Sequence, residues 1–296
     1  MKFRAIIKSI RGPFLILTPI CVFLGVSTVV ASQISVDSQM LLLILLGAVL
    51  AHVSVNTLNE YFDFKSGLDL TTIKTRFSGG SGALPENPDM ANAVLTIGLV
   101  SLLATSLIGL FFAWKIGLGI IPIGVVGLLL ILTYTGWINK QPVICLLAPG
   151  IGFGLLMVVG TQFVLAGKYL PLSWLAGLIP FFLVNNLLLI NQYPDIQADT
   201  GVGRNNLVIT HGIIISNRVY AAFVIATIAV ITTCVFTGKF PVSSLIALIP
   251  IPLAFFTLSG AMKYSENIGS YPQYLAANVI VAIVIPTLLG LSIIIG

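Results

Sequence analysis

The apolar residues of this chain come in long runs, and most of the polar connections between them are short. Nine runs stand near 12–31, 40–60, 91–113, 117–136, 143–166, 171–191, 217–237, 241–260 and 274–295. A run of about 20 apolar residues crosses a bilayer core as a helix, since every backbone polar group must then be satisfied inside the segment. The pattern predicts an all-α polytopic membrane protein, a single domain over 1–296 with nine transmembrane helices. Two connections are long, 61–90 and 192–216. The first run follows Lys2, Arg4, Lys8 and Arg11 and ends in small residues, as a signal peptide does. It exceeds a signal h-region in length and eight more spans follow, so it reads as a span.

Composition agrees with this reading. The chain is 57% hydrophobic and 8% charged, with a mean hydropathy of +1.09, whereas soluble domains carry about 25% charged residues. Cys21, Cys145 and Cys234 lie in apolar runs without C-x-x-C spacing, which argues against disulfides and a thiolate metal site. With the N-terminus in the cytoplasm, the basic residues on that side are Lys2, Arg4, Lys8, Arg11, Lys65, Lys74, Arg76, Lys140, Arg204, Arg218 and Lys263, against Lys115, Lys168 and Lys239 opposite. This bias predicts a cytoplasmic N-terminus and an external C-terminus. It also accounts for most of the net charge of +5, with no nucleic acid needed.

The candidate chemistry lies where the two long connections begin. Asn59-Glu60-Tyr61-Phe62-Asp63 ends one run and Asn191-Gln192-Tyr193-Pro194-Asp195 ends another, and each is followed by a further carboxylate, Asp69 and Asp199. Asp63, Asp69, Asp195 and Asp199 are four of only nine acidic residues. Helical spacing puts Asn59 with Asp63, Asn191 with Asp195, and Asp195 with Asp199 on common faces. Facing each other across a cavity, the stripes 59–69 and 191–199 would offer carboxylate and amide oxygens, hard donors that suit Mg²⁺ bound together with substrate phosphates. No histidine or cysteine stands near enough in sequence to suggest zinc.

The remaining polar residues admit two readings each. The basic residues on the same side satisfy the positive-inside pattern and could also clamp a diphosphate. The stretch Ser78-Gly79-Gly80-Ser81-Gly82 either offers backbone N–H groups to phosphate or forms a flexible lid. His52, one turn before Asn56, either makes a structural hydrogen bond or touches substrate. Tyr61 and Tyr193 either belong to an interfacial belt or flank a developing cation. Pro194 should break its helix. His211 carries no case for function.

These motifs resemble those of the UbiA superfamily of intramembrane aromatic prenyltransferases. The family's first motif, Asn-Asp-x-x-Asp with a further Asp, is similar to Asn59 to Asp63 with Asp69, and its second, Asp-x-x-x-Asp, to Asp195 and Asp199. Tyr134-Thr135-Gly136, Gly203-Arg204 and Ser78 to Pro85 add to the likeness, the last resembling a loop of the menaquinone branch. Glu60 departs from the usual Asp, and Trp137-Ile138-Asn139-Lys140 departs from that branch.

The resemblance implies helices around a central cavity under a cytoplasmic cap in an inner membrane. It implies Mg²⁺ held by Asn59, Asp63, Asp69, Asn191, Asp195 and Asp199, with Asp63, Asp195, Lys140 and Arg204 as catalytic residues. A polyprenyl diphosphate would be clamped by Lys140, Arg204, Arg11, Lys65 and Tyr134, and its prenyl group transferred to an aromatic acceptor in the presence of membrane lipid. The loop points to 1,4-dihydroxy-2-naphthoate, hence menaquinone synthesis; 4-hydroxybenzoate or a glycerol phosphate ether is the alternative. A cation-coupled transporter would also place Asp and Asn at membrane depth, but with acids nearer mid-span and access from both faces.

Overall fold

The computed structural model describes residues 2–75 and 77–296, so Arg76 of the first-loop basic set lies outside the described residues. Those residues form helices and connections, with no β-strand among them. After an N-terminal helix α1 (Lys2–Ser9) come α2 (Gly12–Ala31), α3 (Ser38–Lys65), α4 (Pro88–Ile116), α5 (Leu118–Thr133), α6 (Pro142–Ala166), α7 (Pro171–Asn191), α8 (Leu207–Phe236), α9 (Val242–Ser270) and α10 (Pro272–Ile295). Local chemistry sets several starts. The Asp37 carboxylate accepts from the Gln39 and Met40 backbone N–H groups at 2.8 and 3.1 Å and caps α3. Proline opens α6, α7 and α10, where the missing N–H costs nothing.

Eight of these helical stretches are long and apolar enough to cross a membrane; α5 is shorter. The nine apolar runs thus correspond to the nine helices α2 to α10 of the described residues, of which α5 is shorter than the full span that the sequence predicts. Gly117, at φ 128°, ends α4 late, and the helical part of the fourth run stops at Thr133. At 1.5 Å per residue, 118–133 covers only about 24 Å, less than a core of about 30 Å. The second long connection is also more helical than expected. α8 begins at Leu207, and Gly212, at φ 78°, kinks it where a loop was expected.

Helices α2 to α10 pack as a ring in chain order, with α10 returning to α2. α7 is the most buried of the spans and is fixed by polar bonds as well as apolar packing. The Tyr220 hydroxyl on α8 donates to Asn278 Oδ1 on α10 at 2.9 Å, and Asn278 Nδ2 donates to the Asn186 carbonyl on α7 at 3.2 Å. α6 and α7 approach so closely that a Cβ on Gly154 would lie 2.4 Å from the Phe181 backbone nitrogen, the small-residue packing that membrane helices favour. α6 changes to π-helical winding over Ile151–Met157, and part of that stretch faces the main cavity. The cavity is eccentric. α1 to α7 and the connections line it, and no residue of α8 to α10 does.

Candidate active site

One face of α3 sets the cavity's axis. Ile44, Ala48, Ala51, Val55, Asn59 and Asp63 recur at three to four residues and all stand on its wall. The 19 steps from Ile44 to Asp63 correspond to about 28 Å, apolar for most of that depth and polar at the end covered by the two long connections. The cavity volume is about 880 Å³. His52 stands on the wall, and its Nδ1 lies 2.8 Å from the Thr18 hydroxyl.

The first motif rides on an uninterrupted helix. Asn59 Nδ2 donates to Asp63 Oδ2 at 2.8 Å, one turn on, and to Thr135 Oγ1 at 3.2 Å. Gly67, at φ 84°, then reverses the chain into a short helix, Leu68–Thr71, which brings Asp69 back to the cavity. The second motif is broken, as Pro194 foretells. α7 ends at Asn191, a single tight turn covers Tyr193–Asp195, and a short helix, Ile196–Gly201, carries Asp199. Tyr193 is buried and its hydroxyl donates to Asn217 Oδ1 at 3.0 Å, so it is no belt residue.

Arg204 joins the two motifs. Its guanidinium bonds Asp63 of the first and, at 3.0 Å, Asp199 of the second. Asn206, which caps α8 through Ile209 N–H at 3.0 Å, also donates to Asp199 Oδ2 at 3.2 Å. The glycine segment lies over both motifs. Gly79 N–H donates to Asp195 Oδ2 at 3.1 Å, and Gly80 packs so near Asp69 that a Cβ there would lie 2.6 Å from Oδ1. Gly79 and Gly80 take φ of 81° and 70°, a region that favours glycine.

Electrostatics reflect this crowding. Burial, and then the charges of Glu60 and Asp63, push the Asp69 carboxyl up to about 7. Burial opposes the Arg204 charge, but the Asp63 and Asp199 carboxylates override it and raise its pKa. Burial raises the Tyr134 phenol, which stays neutral.

Among the described residues, four buried side-chain oxygens have no hydrogen-bond partner, and three of them, Asp69 Oδ2, Asn191 Oδ1 and Asp195 Oδ1, belong to residues of the cavity wall, the fourth being Asn186 Oδ1 on α7. Such orphans are costly and call for a ligand. Among the described residues no group of three or more His, Cys, Asp or Glu clusters closely enough to hold a metal, and the Arg204 guanidinium bonds both Asp63 and Asp199. A donor set of one or two carboxylates at a time fits Mg²⁺, which keeps waters and takes its other ligands from phosphate.

Asn59, Asp63, Asp69, Asn191, Asp195, Asp199, Arg11, Arg204 and Tyr134 thus share one cavity wall, whereas Lys140 and Lys65 do not. Both lysines are exposed, and Lys65 Nζ sits 5.7 Å from the Tyr61 ring centroid. Lys8 and Lys74 stand on the wall instead. Lys8 pairs with Glu86 at 2.6 Å, and Lys74 Nζ donates to the Ser81 carbonyl. The one sequence signal for Lys74 is its place beside the glycine cluster; Lys8 carried none beyond the positive-inside pattern.

The sequence matches the UbiA prenyltransferase family over residues 18–289. A 1,4-dihydroxy-2-naphthoate octaprenyltransferase of Bacillus subtilis is 28% identical over 183 residues, 60% of this chain and 57% of that protein. Two solved structures share the fold. A digeranylgeranylglyceryl phosphate synthase matches with a TM-score of 0.68 at 16% identity, covering 99% of each chain. An Archaeoglobus fulgidus UbiA homologue, bound to DMAPP and Mg²⁺, matches with a TM-score of 0.67 at 12% identity, covering 98% of each chain.

Proposed function

The chain belongs to the UbiA prenyltransferase family, and on that premise we propose that it transfers a polyprenyl group from an isoprenyl diphosphate to an aromatic acceptor, 1,4-dihydroxy-2-naphthoate. The observation that carries this reading is the joining of both acidic motifs, Arg11, Arg204 and a long apolar wall in one cavity. The naphthoate acceptor is supported by the 28% identical relative and by the Ser78 to Pro85 loop. A glycerol phosphate ether acceptor finds a match in fold alone.

Asn59, Asp63, Asp69, Asn191, Asp195 and Asp199 would hold Mg²⁺, with the free oxygens of Asp69, Asn191 and Asp195 the best placed to do so. Bound there with the diphosphate, Mg²⁺ would supply Lewis-acid neutralisation of the leaving group. Arg204, Arg11 and Lys74 present cationic groups to the same anion. The apolar wall receives the polyprenyl tail and excludes water that would quench an allylic cation. The allylic C–O bond breaks with its electron pair leaving on diphosphate, an aromatic carbon bonds the cation, and a ring proton is then lost. The motifs lie at the cytoplasmic side of an inner membrane in this reading.

Purified protein with Mg²⁺, geranylgeranyl diphosphate and a panel of aromatic acceptors tests it by mass spectrometry. Prenylated naphthoate that disappears with EDTA is the expected result. Diphosphate release without an aromatic product would discard the acceptor, and no turnover of any diphosphate would discard prenyl transfer.

A further inference from the structure

Glu60 departs from the aspartate usual at its place in the motif, and its surroundings give the departure a meaning. Asn59 and Asp63, four residues apart, face the cavity; Glu60, about 100° round the helix from Asn59, is not on the wall. Its side chain is 0% exposed. A buried carboxylate is tolerated only when its oxygens are satisfied, and here three donors from two other segments converge on it. Ser81 N–H reaches Oε2 at 3.3 Å, the Ser81 hydroxyl donates to Oε1, and the Arg11 guanidinium lies 3.5 Å from Oε2.

Both partners belong to the polar end of the cavity. Arg11 and Ser81 stand on its wall, and Ser81 continues the glycine segment that bonds Asp195. Arg11 takes φ 55° and ψ 49°, a conformation that a non-glycine residue holds only when its surroundings impose it. α3 imposes it at two points one turn apart. Asn56 Nδ2 donates to the Ile10 carbonyl at 2.9 Å, and Glu60 takes the guanidinium. An aspartate would withdraw the carboxylate by about one C–C bond, about 1.5 Å, from donors of which Arg11 already stands at 3.5 Å.

We propose that Glu60 is a positioning residue, not a metal ligand: it ties Arg11 to the glycine segment, so that the cation is held under that segment at the polar end of the cavity, where the diphosphate binds. This rests on the prenyl diphosphate reading given above. The segment is then a fixed roof over the polar end of the cavity, anchored at Glu60 and Asp195, rather than a free lid.

Full-length protein in detergent separates the alternatives when Mn²⁺ binding is read by electron paramagnetic resonance and geranylgeranyl diphosphate binding by calorimetry. In E60Q and E60D, Mn²⁺ affinity without diphosphate is expected to stay within about twofold, while diphosphate affinity falls about tenfold, the scale of one charge-assisted hydrogen bond. Trypsin should cut faster after Lys74, and R11Q combined with E60Q should cost little more than either alone. S81A, which leaves the carboxylate in place, should reproduce the faster cleavage if E60Q does not fold.

A tenfold loss of Mn²⁺ affinity in E60Q or E60D, with diphosphate binding intact, would make Glu60 a metal ligand and overturn the proposal. Wild-type protein that binds Mn²⁺ but no prenyl diphosphate would instead remove the functional reading on which it stands.

Discussion

The two acidic motifs share a residue pattern and differ in backbone, and the difference divides their work. In the first, the continuous helix lets Asn59 bond Asp63 directly, so two of its polar groups are spent on each other and on Arg204. In the second, Pro194 breaks the helix, and Asn191 Oδ1 and Asp195 Oδ1 are left without partners. A repeated pattern does not impose a repeated geometry. The broken copy presents two buried free oxygens and shares Arg204 through Asp199, whereas the Asp63 carboxylate of the continuous copy is taken by Asn59 and Arg204, leaving Asp69 Oδ2 as its buried oxygen without a partner.

Deleting a free donor should have the largest effect. D195A is expected to lower prenyl transfer by about 10³-fold, the scale of removing one preorganised electrostatic group, and to lose Mn²⁺ binding. If D63A costs more in metal affinity than D195A, the division between the motifs is reversed.

R204Q comes next, because it leaves two buried carboxylates without their shared cation. Breaking such a pair costs about 3–5 kcal/mol, read as a fall in Tm. Mg²⁺ should then raise Tm more in R204Q than in wild type, since Asp63 and Asp199 are freed to take it. Equal Mg²⁺ shifts would mean that the guanidinium does not compete with the metal.

A pH effect follows from Asp69. With its carboxyl at about 7 in the metal-free protein, the proton and the cation compete. Burial raises the Asp195 carboxyl to about 7 as well, so Mn²⁺ affinity should fall by about tenfold or more per pH unit below 7 and level off above it, and D69N should lessen the slope without abolishing it. P194A, which lets α7 continue and turns Asp195 away from Gly79, should lower Mn²⁺ affinity by about tenfold with little change in Tm. The smallest effect is expected for K140A and K65A, under about twofold in diphosphate affinity, since an exposed cation away from the wall contributes little.

The spans, their helical nature and the break at Pro194 were legible in the sequence, because apolar length and proline stereochemistry are local properties. That the six oxygen residues meet on one cavity wall was legible because the Asn-x-x-x-Asp spacing recurs at 59–63 and 191–195. Lys140 and Lys65 read as clamp residues because sequence distance to a motif stands in poorly for direction. Lys140 ends a short helical turn, Ile138–Lys140, that buries Asn139 and leaves the lysine exposed. Lys74 and the tie between Glu60, Ser81 and Arg11 were not legible, since the contacts span 21 and 49 residues and depend on how α1 and the first connection fold over α3. Nor was the eccentric cavity, which follows from the tight packing of α7 against α8 and α10.

The central claim is that both motifs build one site. The most direct test is a double-mutant cycle between Asp63 and Asp195, read as Mn²⁺-dependent binding of geranylgeranyl diphosphate to the full-length protein. One site requires strong non-additivity, with the double variant D63A/D195A losing little more than D195A alone. Costs that add within about 0.5 kcal/mol would mean two independent sites and would contradict the account.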